Sequence, residues 1–293
     1  MGTSSDDLQR ALDAASPGDV LQLAPVTYTG HFRISTAATA AAPIVLCGSP
    51  GSTLSGGSLD DGYALHLDGA EGWHLTGFVV TEASKGIMLD GARDNVLEQL
   101  EVTRTGEEGV HFRADSRGNT LTRSSVSQTG LRTPEFGEGV YVGSAESNWC
   151  RYTDCAPDRS DGNTIIDSVI TDTAAEALDI KEGTSGGTVR GTTLRLAEDS
   201  VADSAVDVKG AGWTLADNTI AGGAAAIAVR VILAPWGSGN VLTANALEPA
   251  DGGVGIELAG AARSAGNRVG CDNTVPDGGR LTDAACVAAS AGP

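Results

Sequence analysis

The stretch Glu176-Ala177-Leu178-Asp179-Ile180-Lys181 decides the fold of this chain, because its pattern recurs along the sequence. A small residue precedes two apolar residues that are separated by one variable position, and a second variable position follows. The first apolar residues of the copies are Leu65, Ile87, Val110, Val140, Leu178, Val206, Ile227 and, more weakly, Ile256. Alternation of apolar and variable positions is typical of a short β-strand, since successive side chains point to opposite faces.

Two further apolar segments follow each copy. Asn163-Thr164-Ile165 is an example of the second segment and Val169-Ile170 of the third. Where nothing is inserted the repeat is 22 residues long, as from Leu65 to Ile87. Three strands in a repeat of this length indicate a solenoid, and the leucine-rich consensus is missing. We therefore predict an all-β, right-handed parallel β-helix with three strands per coil and about 8–10 coils.

An Asn recurs just before the second strand, for example at Asn95, Asn119 and Asn163. Asn tolerates the left-handed backbone conformation better than most residues, and identical amides can stack when coils lie in register. We expect these Asn residues to occupy left-handed turns and to stack from coil to coil.

Both ends of the predicted solenoid carry segments outside the repeat. Residues 6–16 form a predicted amphipathic helix, because Leu8 and Leu12 share one face and Pro17 follows its end. A solenoid needs a cap over its first coil, and we expect this helix to provide it. We assign residues 270–293 to a C-terminal cap or tail, and the whole of 1–293 to a single β-helix domain.

The five cysteines predict two short disulfide-closed loops. Cys150 and Cys155 bracket a four-residue loop, and Cys271 and Cys286 bracket the C-terminal tail, whereas Cys47 lies in an apolar run. Two disulfides with one buried free thiol favour an oxidising, extracellular setting; five reduced thiols in a cytosolic protein are the alternative. The first residues lack the basic and apolar parts of a signal peptide, so we expect any export signal to have been removed already.

The charge of the chain excludes some partners. The formal net charge is −19, with only 19 Lys and Arg residues, so binding to nucleic acid or to an anionic membrane is disfavoured. No apolar run reaches transmembrane length. We expect a monomer, and the positions of its few cations matter more than usual.

The N-terminal part of the chain resembles a known family. A predicted helix is followed by Gly18-Asp19-Val20-Leu21, by the turn Tyr28-Thr29-Gly30, and later by Ile44-Val45-Leu46 before a Gly/Ser-rich turn. This arrangement is similar to the entrance of secreted, pectin lyase-like β-helix enzymes of the chondroitinase B and alginate lyase family, polysaccharide lyase family 6. The resemblance covers about the first sixty residues and implies cleavage of an acidic polysaccharide or oligosaccharide by β-elimination.

The resemblance also implies a set of site residues. In that family a Lys and an Arg on neighbouring coils transfer protons, and carboxylates on an adjacent coil hold Ca²⁺. Lys181 matches the Lys, and Lys209 stands where the Arg is expected. The replacement of Arg by Lys is a departure, because an ammonium cannot bind a carboxylate in the bidentate manner of a guanidinium.

Four insertions stretch the regular repeat, at 131–137, 144–162, 197–203 and 233–237. Loops that leave neighbouring coils lie on one side of a solenoid, so we expect them to wall a groove. Trp149, Tyr152 and Trp236 lie in these loops and are candidates to stack on sugar rings; ordinary loop packing is the alternative.

The variable positions of the first strand should form outward-facing columns about 4.8 Å apart from coil to coil. One column contains His66, Met88, His111, Tyr141, Asp179, Asp207 and Ala228, and the next contains Asp68, Asp90, Arg113, Gly143, Lys181, Lys209 and Arg230. Crowded cations lower one another's pKa, which makes Lys181 a candidate general base. Asp179 and Asp207 could instead neutralise the ladder, which would make it an ordinary surface network.

The remaining cations and proton carriers complete this interpretation. We expect Lys209 and Arg230 to bind the uronate carboxylate or assist the acid step, and Tyr141 or His111 to protonate the leaving group. Arg113 is a candidate for binding the substrate.

A third column lies just before each strand and contains the carboxylates Glu108, Glu138 and Glu176. Ca²⁺ accepts several oxygen ligands in loose geometry, so this column is a candidate calcium site. The alternative is that each Glu caps its own turn in water.

Two other functions remain open on the sequence alone. Asp179 and Asp207 on adjacent coils are the kind of carboxylate pair that a glycoside hydrolase uses. A non-catalytic carbohydrate-binding β-helix is the third possibility. We favour a secreted polysaccharide lyase that acts on uronic-acid glycan.

Overall fold

The computed structural model describes residues 2–288, and its strands form three parallel sheets of ten, nine and ten strands. The first sheet contains Val20–Gln22, Ile44–Cys47, Trp73–Thr76, Val96–Glu98, Thr120–Thr122, Thr164–Ile166, Thr188–Arg190, Thr214–Ala216, Val241–Thr243 and Arg268–Val269. The second contains Thr27–Thr29, Thr53–Ser55, Val79–Ala83, Glu101–Thr105, Ser125–Thr129, Val169–Thr173, Thr193–Leu196, Thr219–Ala221 and Ala246–Glu248. The third contains Phe32–Ile34, Tyr63–Asp68, Lys85–Asp90, Val110–Arg113, Val140–Val142, Leu178–Ile180, Ser204–Val208, Ala225–Val229, Val254–Leu258 and Arg280–Thr282.

Each coil contributes one strand to each sheet, except that the last coil adds none to the second sheet, and the strands pair with the equivalent strands of neighbouring coils. The chain is therefore a right-handed parallel β-helix, as the repeat predicted. Leu178, Ile180 and their equivalents point inward and are completely buried. Thin layers of aliphatic side chains from three sheets thus form one continuous core.

Strands of adjacent coils pair in register, so residues at equivalent positions of the repeat form columns of side chains. In the third sheet Leu178 pairs with Val206 and Asp179 with Asp207. Because parallel strands in register place equivalent side chains next to each other, the outward columns predicted from the sequence are present. We call the outward surface of the third sheet the site face.

The Asn residues stack as predicted. Asn95 Nδ2 donates to Asn119 Oδ1 at 2.9 Å, and Asn119 Nδ2 donates to Asn163 Oδ1 at 3.1 Å. The left-handed backbone, however, lies one residue earlier, at Asp94 and Gly118. The expectation of left-handed Asn residues was wrong because each buried amide also bonds to the backbone of neighbouring coils, as when Asn95 Oδ1 accepts the Trp73 N–H.

A helix at Ser5–Ala14 packs against the first coil and buries Leu8 and Leu12. Its boundaries differ from the predicted 6–16, since Ser4 caps its start by accepting the Asp7 N–H and Ala15 is already extended. The other helical segments are short: Pro134–Phe136, Glu146–Asn148, Trp149–Tyr152 and Gly260–Ser264. Within the described residues no helix is long and apolar enough to cross a bilayer.

Both predicted disulfides, Cys150–Cys155 and Cys271–Cys286, are present. Cys47 is free and half-buried rather than fully buried, because its side chain alternates outward in the first sheet. The predicted C-terminal segment 270–293 is described as far as residue 288, and its last five residues lie outside the described part.

The four insertions lie on both sides of the site face. The insertions at 131–137 and 197–203 precede strands of the third sheet, whereas those at 144–162 and 233–237 follow strands of that sheet. The expectation that all four leave one side of the solenoid was therefore wrong. Two pairs of loops flank the site face along its edges.

Candidate active site

Asp179 lies at the centre of the site face and is almost fully buried. Its Oδ2 atom is 2.6 Å from Lys181 Nζ, and its Oδ1 atom is 2.8 Å from Lys209 Nζ. Burial favours the neutral form of Asp179, but the two ammonium groups outweigh it and hold its pKa below the usual range. Asp179 is therefore the anion that holds both lysines.

The same contact corrects the prediction for Lys181. Crowding by other cations was expected to lower the pKa of this ammonium, but the pKa is raised. Burial acts to lower it, and the attraction of Asp179 outweighs burial. Lys181 consequently rests as an ammonium ion at neutral pH.

Lys209 and Arg230 belong to a neutralised network. Lys209 Nζ also lies 2.8 Å from Asp207 Oδ2, and Arg230 binds both Asp207 and Asp203. Lys209 is only 8% exposed, so it has little surface to offer a sugar, whereas Arg230 is partly exposed. Lys209 is therefore paired with both aspartates, as the surface-network alternative describes, and Arg230 stays partly exposed.

Tyr141 lies beside Lys181 on the preceding coil. The Lys181 ammonium is 5.1 Å from the centre of the Tyr141 ring, and both side chains remain partly exposed. Burial of the ring and the nearby Asp179 carboxylate raise the pKa of the Tyr141 hydroxyl well above its usual value. The site face thus presents a protonated phenol next to an ammonium.

His111 lies one coil before Tyr141 but cannot reach a ligand. It is 4% exposed, and its Nε2 atom is 2.8 Å from the Gly143 carbonyl oxygen. The prediction that His111 carries a proton to the leaving group is therefore not supported. The imidazole instead meets the Tyr141 ring edge to face, with 4.3 Å between the ring centres.

The carboxylate cluster differs from the predicted column. Oxygens of Glu138, Glu176 and Asp179 lie within 4.8 Å of one another. Glu108 is not part of this group, because it pairs with Lys85 and lies 3.5 Å from His111 Nδ1. Burial opposes ionisation of Glu108, but the neighbouring His111 and Lys85 outweigh it and lower the pKa of Glu108 to about 2.

Crowding makes the other two glutamates weak acids. Burial, followed by the neighbouring Glu108 carboxylate, raises the pKa of Glu138 to about 8. Burial, followed by Asp179, raises the pKa of Glu176 to about 7. A carboxyl group that holds a proton at neutral pH relieves the repulsion within the cluster.

The cluster does not fit a calcium ion well. Ca²⁺ requires about six to eight oxygen ligands, and each carboxylate must be free to turn toward it. Both oxygens of Asp179 are already engaged by ammonium groups, which would lie beside the ion and repel it. The buried Glu138 Oε2 atom has no hydrogen-bond partner, and a proton on Glu138 removes its negative charge without a metal.

Two predicted substrate-binding residues are buried. Arg113 is 6% exposed and makes a bidentate pair with Asp90, at 2.7 and 2.8 Å. Trp149 is 5% exposed, and its indole N–H donates to the Ser144 carbonyl oxygen at 2.9 Å. Neither side chain is available to a sugar, since each is buried and bonded to a neighbouring residue.

Tyr152 and Trp236 remain partly exposed. The Tyr152 ring covers the Arg113 guanidinium at 3.9 Å, and Trp236 meets Trp149 edge to face at 5.6 Å. Because Trp149 and Trp236 come from insertions three coils apart, their contact joins the two loops along one edge of the site face. These two aromatic side chains are the ones that could stack on a sugar ring.

Asp158 was not identified from the sequence. It is completely buried and accepts hydrogen bonds from the Ala114 and Asp115 N–H groups and from the Ser144 and Ser160 hydroxyls. It thereby fixes the 144–162 insertion to the coil of Arg113. A single Asp in a polar loop has no sequence signal that distinguishes this role.

A cavity of about 650 Å³ lies away from this cluster, at the corner between the first and second sheets. Its lining is mostly apolar or backbone, and includes Phe78, Leu100 and Arg123. Chemistry requires titratable groups held in contact, and those lie on the site face. We therefore place the candidate active site at Tyr141, Asp179 and Lys181 rather than in the cavity.

Comparison with solved structures decides the family. An alginate lyase from Paenibacillus sp. str. FPU-7 aligns over 98% of this chain and 98% of its own, with 32% sequence identity and a TM-score of 0.86. The chain belongs to the family of this alginate lyase. The protein is accordingly a polysaccharide lyase, and the lyase interpretation of the sequence is confirmed at this level.

Two other solved structures resemble this protein in fold alone. The pectate lyase Pel9A aligns over 96% of this chain and 75% of its own, with 16% identity and a TM-score of 0.68. The catalytic unit of an α-1,3-glucanase from Streptomyces thermodiastaticus strain HF3-3 aligns over 94% of this chain and 56% of its own, with 12% identity and a TM-score of 0.52. No family model and no curated protein sequence matches the chain.

Proposed function

We propose that the lyase cleaves alginate or a closely related uronic-acid polysaccharide by β-elimination at the site face. The observation that carries the proposal is the contact between Lys181 and Tyr141, which places an ammonium group and a phenol side by side on the site face, both partly exposed. The substrate class is supported by the 32% identity to an alginate lyase over nearly the whole of both chains. Assignment to polysaccharide lyase family 6 stays a prediction, and the proposal does not depend on it.

β-Elimination on a uronate needs three groups. One neutralises the carboxylate, one removes the proton at C5, and one protonates the departing O4 while the electron pair of the broken C5–H bond forms the C4–C5 double bond and the C4–O4 bond breaks. Arg230 is a partly exposed cation and is our candidate for the carboxylate. Tyr141 holds its proton firmly and suits the donation to O4.

Lys181 is our candidate for the base. Because Asp179 stabilises the ammonium form, the reactive amine is the minor form at neutral pH, and the rate of the elimination should rise with pH. Tyr152 and Trp236 are proposed to stack on sugar rings beside this centre. Lys209 and Asp179 hold Lys181 in place and do not contact the sugar in this scheme.

The predicted calcium ion has no step in this scheme. Glu138 and Glu176 would be its ligands if it bound, and it would supply positive charge for the uronate carboxylate. The partly exposed Arg230 is our candidate for that charge, and the engaged oxygens of Asp179 argue against the ion.

Hydrolysis by Asp179 and Asp207 is not favoured. Both side chains are almost fully buried, and Lys209 bridges them at 2.8 Å on each side. A hydrolase needs one carboxylic acid and one carboxylate facing the glycosidic bond, and neither aspartate faces outward freely.

We further propose that the lyase acts outside the cell as a monomer. The two disulfides support an oxidising compartment. Measurement of its mass in solution by light scattering checks the monomer.

The test is ultraviolet absorbance during incubation with alginate, pectate, glucuronan and glycosaminoglycans. Elimination produces a conjugated unsaturated uronate that absorbs, whereas hydrolysis produces only reducing ends. We expect absorbance to rise with alginate and to stay flat when Lys181→Ala protein is used. New reducing ends without absorbance, or no product from any of these glycans, would overturn the proposal.

A further inference from the structure

His111 lies under the site face, in contact with the proposed proton donor. Its Nε2 atom is 2.8 Å from the Gly143 carbonyl oxygen, which can only accept a hydrogen bond. The imidazole must therefore carry a hydrogen on Nε2. This bond fixes the orientation of the ring plane.

The opposite edge of the ring faces a carboxylate of the same coil. His111 Nδ1 lies 3.5 Å from Glu108 Oε1, and Lys85 of the previous coil binds the other oxygen of Glu108. Lys85 in turn lies 2.5 Å from Glu107. The imidazole is thus confined between a carbonyl on one side and an ion-paired carboxylate on the other.

We propose that His111 is a positioning residue for Tyr141. The two rings meet at an angle of 81° with 4.3 Å between their centres, so the imidazole forms a fixed wall against the phenol. Lys181 Nζ lies 5.1 Å from the centre of the same Tyr141 ring. A phenol restrained by its neighbours points its hydroxyl in one direction, which is what proton transfer to a particular oxygen requires.

The Gly143 bond also ties His111 to the turn that follows Tyr141. Gly143 has a φ of +82°, and a Cβ atom at this position would lie 2.5 Å from Thr184 Cγ2. The turn therefore has to be a glycine, because any other residue would adopt a strained backbone conformation and meet the Thr184 methyl group. By holding the carbonyl of Gly143, His111 keeps this turn and the phenol in one arrangement.

Kinetics test the consequence of this arrangement, which rests on the proposed function. We expect His111→Ala to lower kcat by about tenfold or more and to change KM by less than about twofold, because the phenol is misdirected while the sugar contacts remain. His111→Gln keeps an N–H donor for Gly143 and should recover part of the loss. His66→Ala is the matched control, since His66 lies in the same column, two coils away, and pairs with Asp90.

Mobility of the Tyr141 ring tests the inference without any activity. The chain contains four tyrosines, so protein labelled with fluorotyrosine should give a simple fluorine NMR spectrum, in which the signal lost in Tyr141→Phe identifies position 141. We expect ring flipping of Tyr141 to be about tenfold faster or more in His111→Ala than in the wild type. His66→Ala should leave it unchanged.

The outcomes separate the two proposals. Unchanged ring flipping in His111→Ala and His111→Gln would overturn the positioning role, whatever the activity. Equal loss of kcat, substrate affinity and melting temperature in both variants would overturn it as well, because His111 would then serve only the fold. A wild-type protein inactive on every uronate would overturn the proposed function and leave the ring measurement to decide this inference.

Discussion

Lys209 Nζ lies 2.8 Å from Asp179 Oδ1, although 30 residues separate the two along the chain. The coils bring them together in adjacent strands, and both side chains are buried beneath the site face. Asp179 is the anion on which the placement of Lys181 depends. The distribution of charge in the site therefore depends on this pair.

Removing the cation of this pair should destabilise the fold. We expect Lys209→Met to lower the free energy of unfolding by about 3–5 kcal/mol, because Asp179 and Asp207 lose a shared partner while remaining buried. Urea denaturation followed by circular dichroism measures this loss. Arg132→Met is the control: its pair with Asp60 is exposed, and we expect no measurable change. Equal stability of Lys209→Met and the wild type would contradict the role of the pair.

Removing the proposed base should abolish activity and spare the fold. We expect Lys181→Ala to form no unsaturated product while its melting temperature stays nearly unchanged, since Lys209 continues to neutralise Asp179. Product absorbance and calorimetry make the two measurements. Arg104→Ala removes a cation from the second sheet and should retain full activity. Survival of activity in Lys181→Ala would show that another group removes the proton.

The pH dependence of the reaction should follow Asp179. Its carboxylate stabilises the ammonium form of Lys181, so Asp179→Asn should lower the pKa of Lys181. If Lys181 is the base, the rising limb of kcat/KM against pH moves to lower pH in this variant. Asp68→Asn, which changes an exposed pair with Arg33, should not move the limb. A limb that stays in place in Asp179→Asn means that Lys181 is not the titrating group.

Stability should fall as the pH rises through the titration of Glu138. The pKa of this carboxyl rises from 4.5 in the unfolded chain to about 8 in the fold, so the folded state binds more protons between these values. Because the unfolded state then holds fewer protons, the free energy of unfolding decreases with pH across this window. The side chain introduced by Glu138→Gln cannot ionise, so the free energy of unfolding should change less with pH than in the wild type. We expect the difference across this window to be on the order of a few kcal/mol.

The measurement for Glu138 is chemical denaturation at a series of pH values between about 5 and 8. Glu135→Gln, three residues earlier and exposed, should keep the slope of the wild type. A slope that is identical in Glu138→Gln would mean that Glu138 is ionised in the folded protein.

Chelation should leave the enzyme active. The lysines engage both oxygens of Asp179, so we expect incubation with EDTA to change kcat/KM by less than about twofold. Calorimetry with Ca²⁺ added should show no rise in melting temperature beyond that given by Mg²⁺ at the same ionic strength. Loss of activity with EDTA that Ca²⁺ alone restores would place a metal in the site.

Much of the architecture followed from the sequence, because a parallel β-helix repeats one local pattern. Short strands of period two, recurring every 22 residues, pair in register, and register places equivalent side chains in columns. The repeat alone therefore predicted two of the columns. One contains Tyr141, Asp179 and Asp207, and the other contains Lys181 and Lys209. The two disulfides followed from Cys pairs close in sequence at loops.

Only the tertiary structure decided which side chains of those columns form ion pairs and hydrogen bonds with one another. A column position fixes where a backbone lies, but not which neighbour a flexible side chain selects. Glu108 pairs with Lys85 and lies near His111, so it is not part of the acidic cluster. Asp179 contacts both lysines and raises the pKa of Lys181, which crowding was expected to lower.

Burial is the second quantity that the sequence could not supply. Trp149 and Arg113 are covered because the 144–162 insertion folds back over the site face, held by Asp158. His111 was a candidate proton carrier until its Nε2 atom was found on the carbonyl of Gly143, 32 residues away. The repeat thus determined the fold and the neighbours of each residue, whereas pairing, burial and the resulting pKa values depended on side-chain and loop packing that no local pattern encodes.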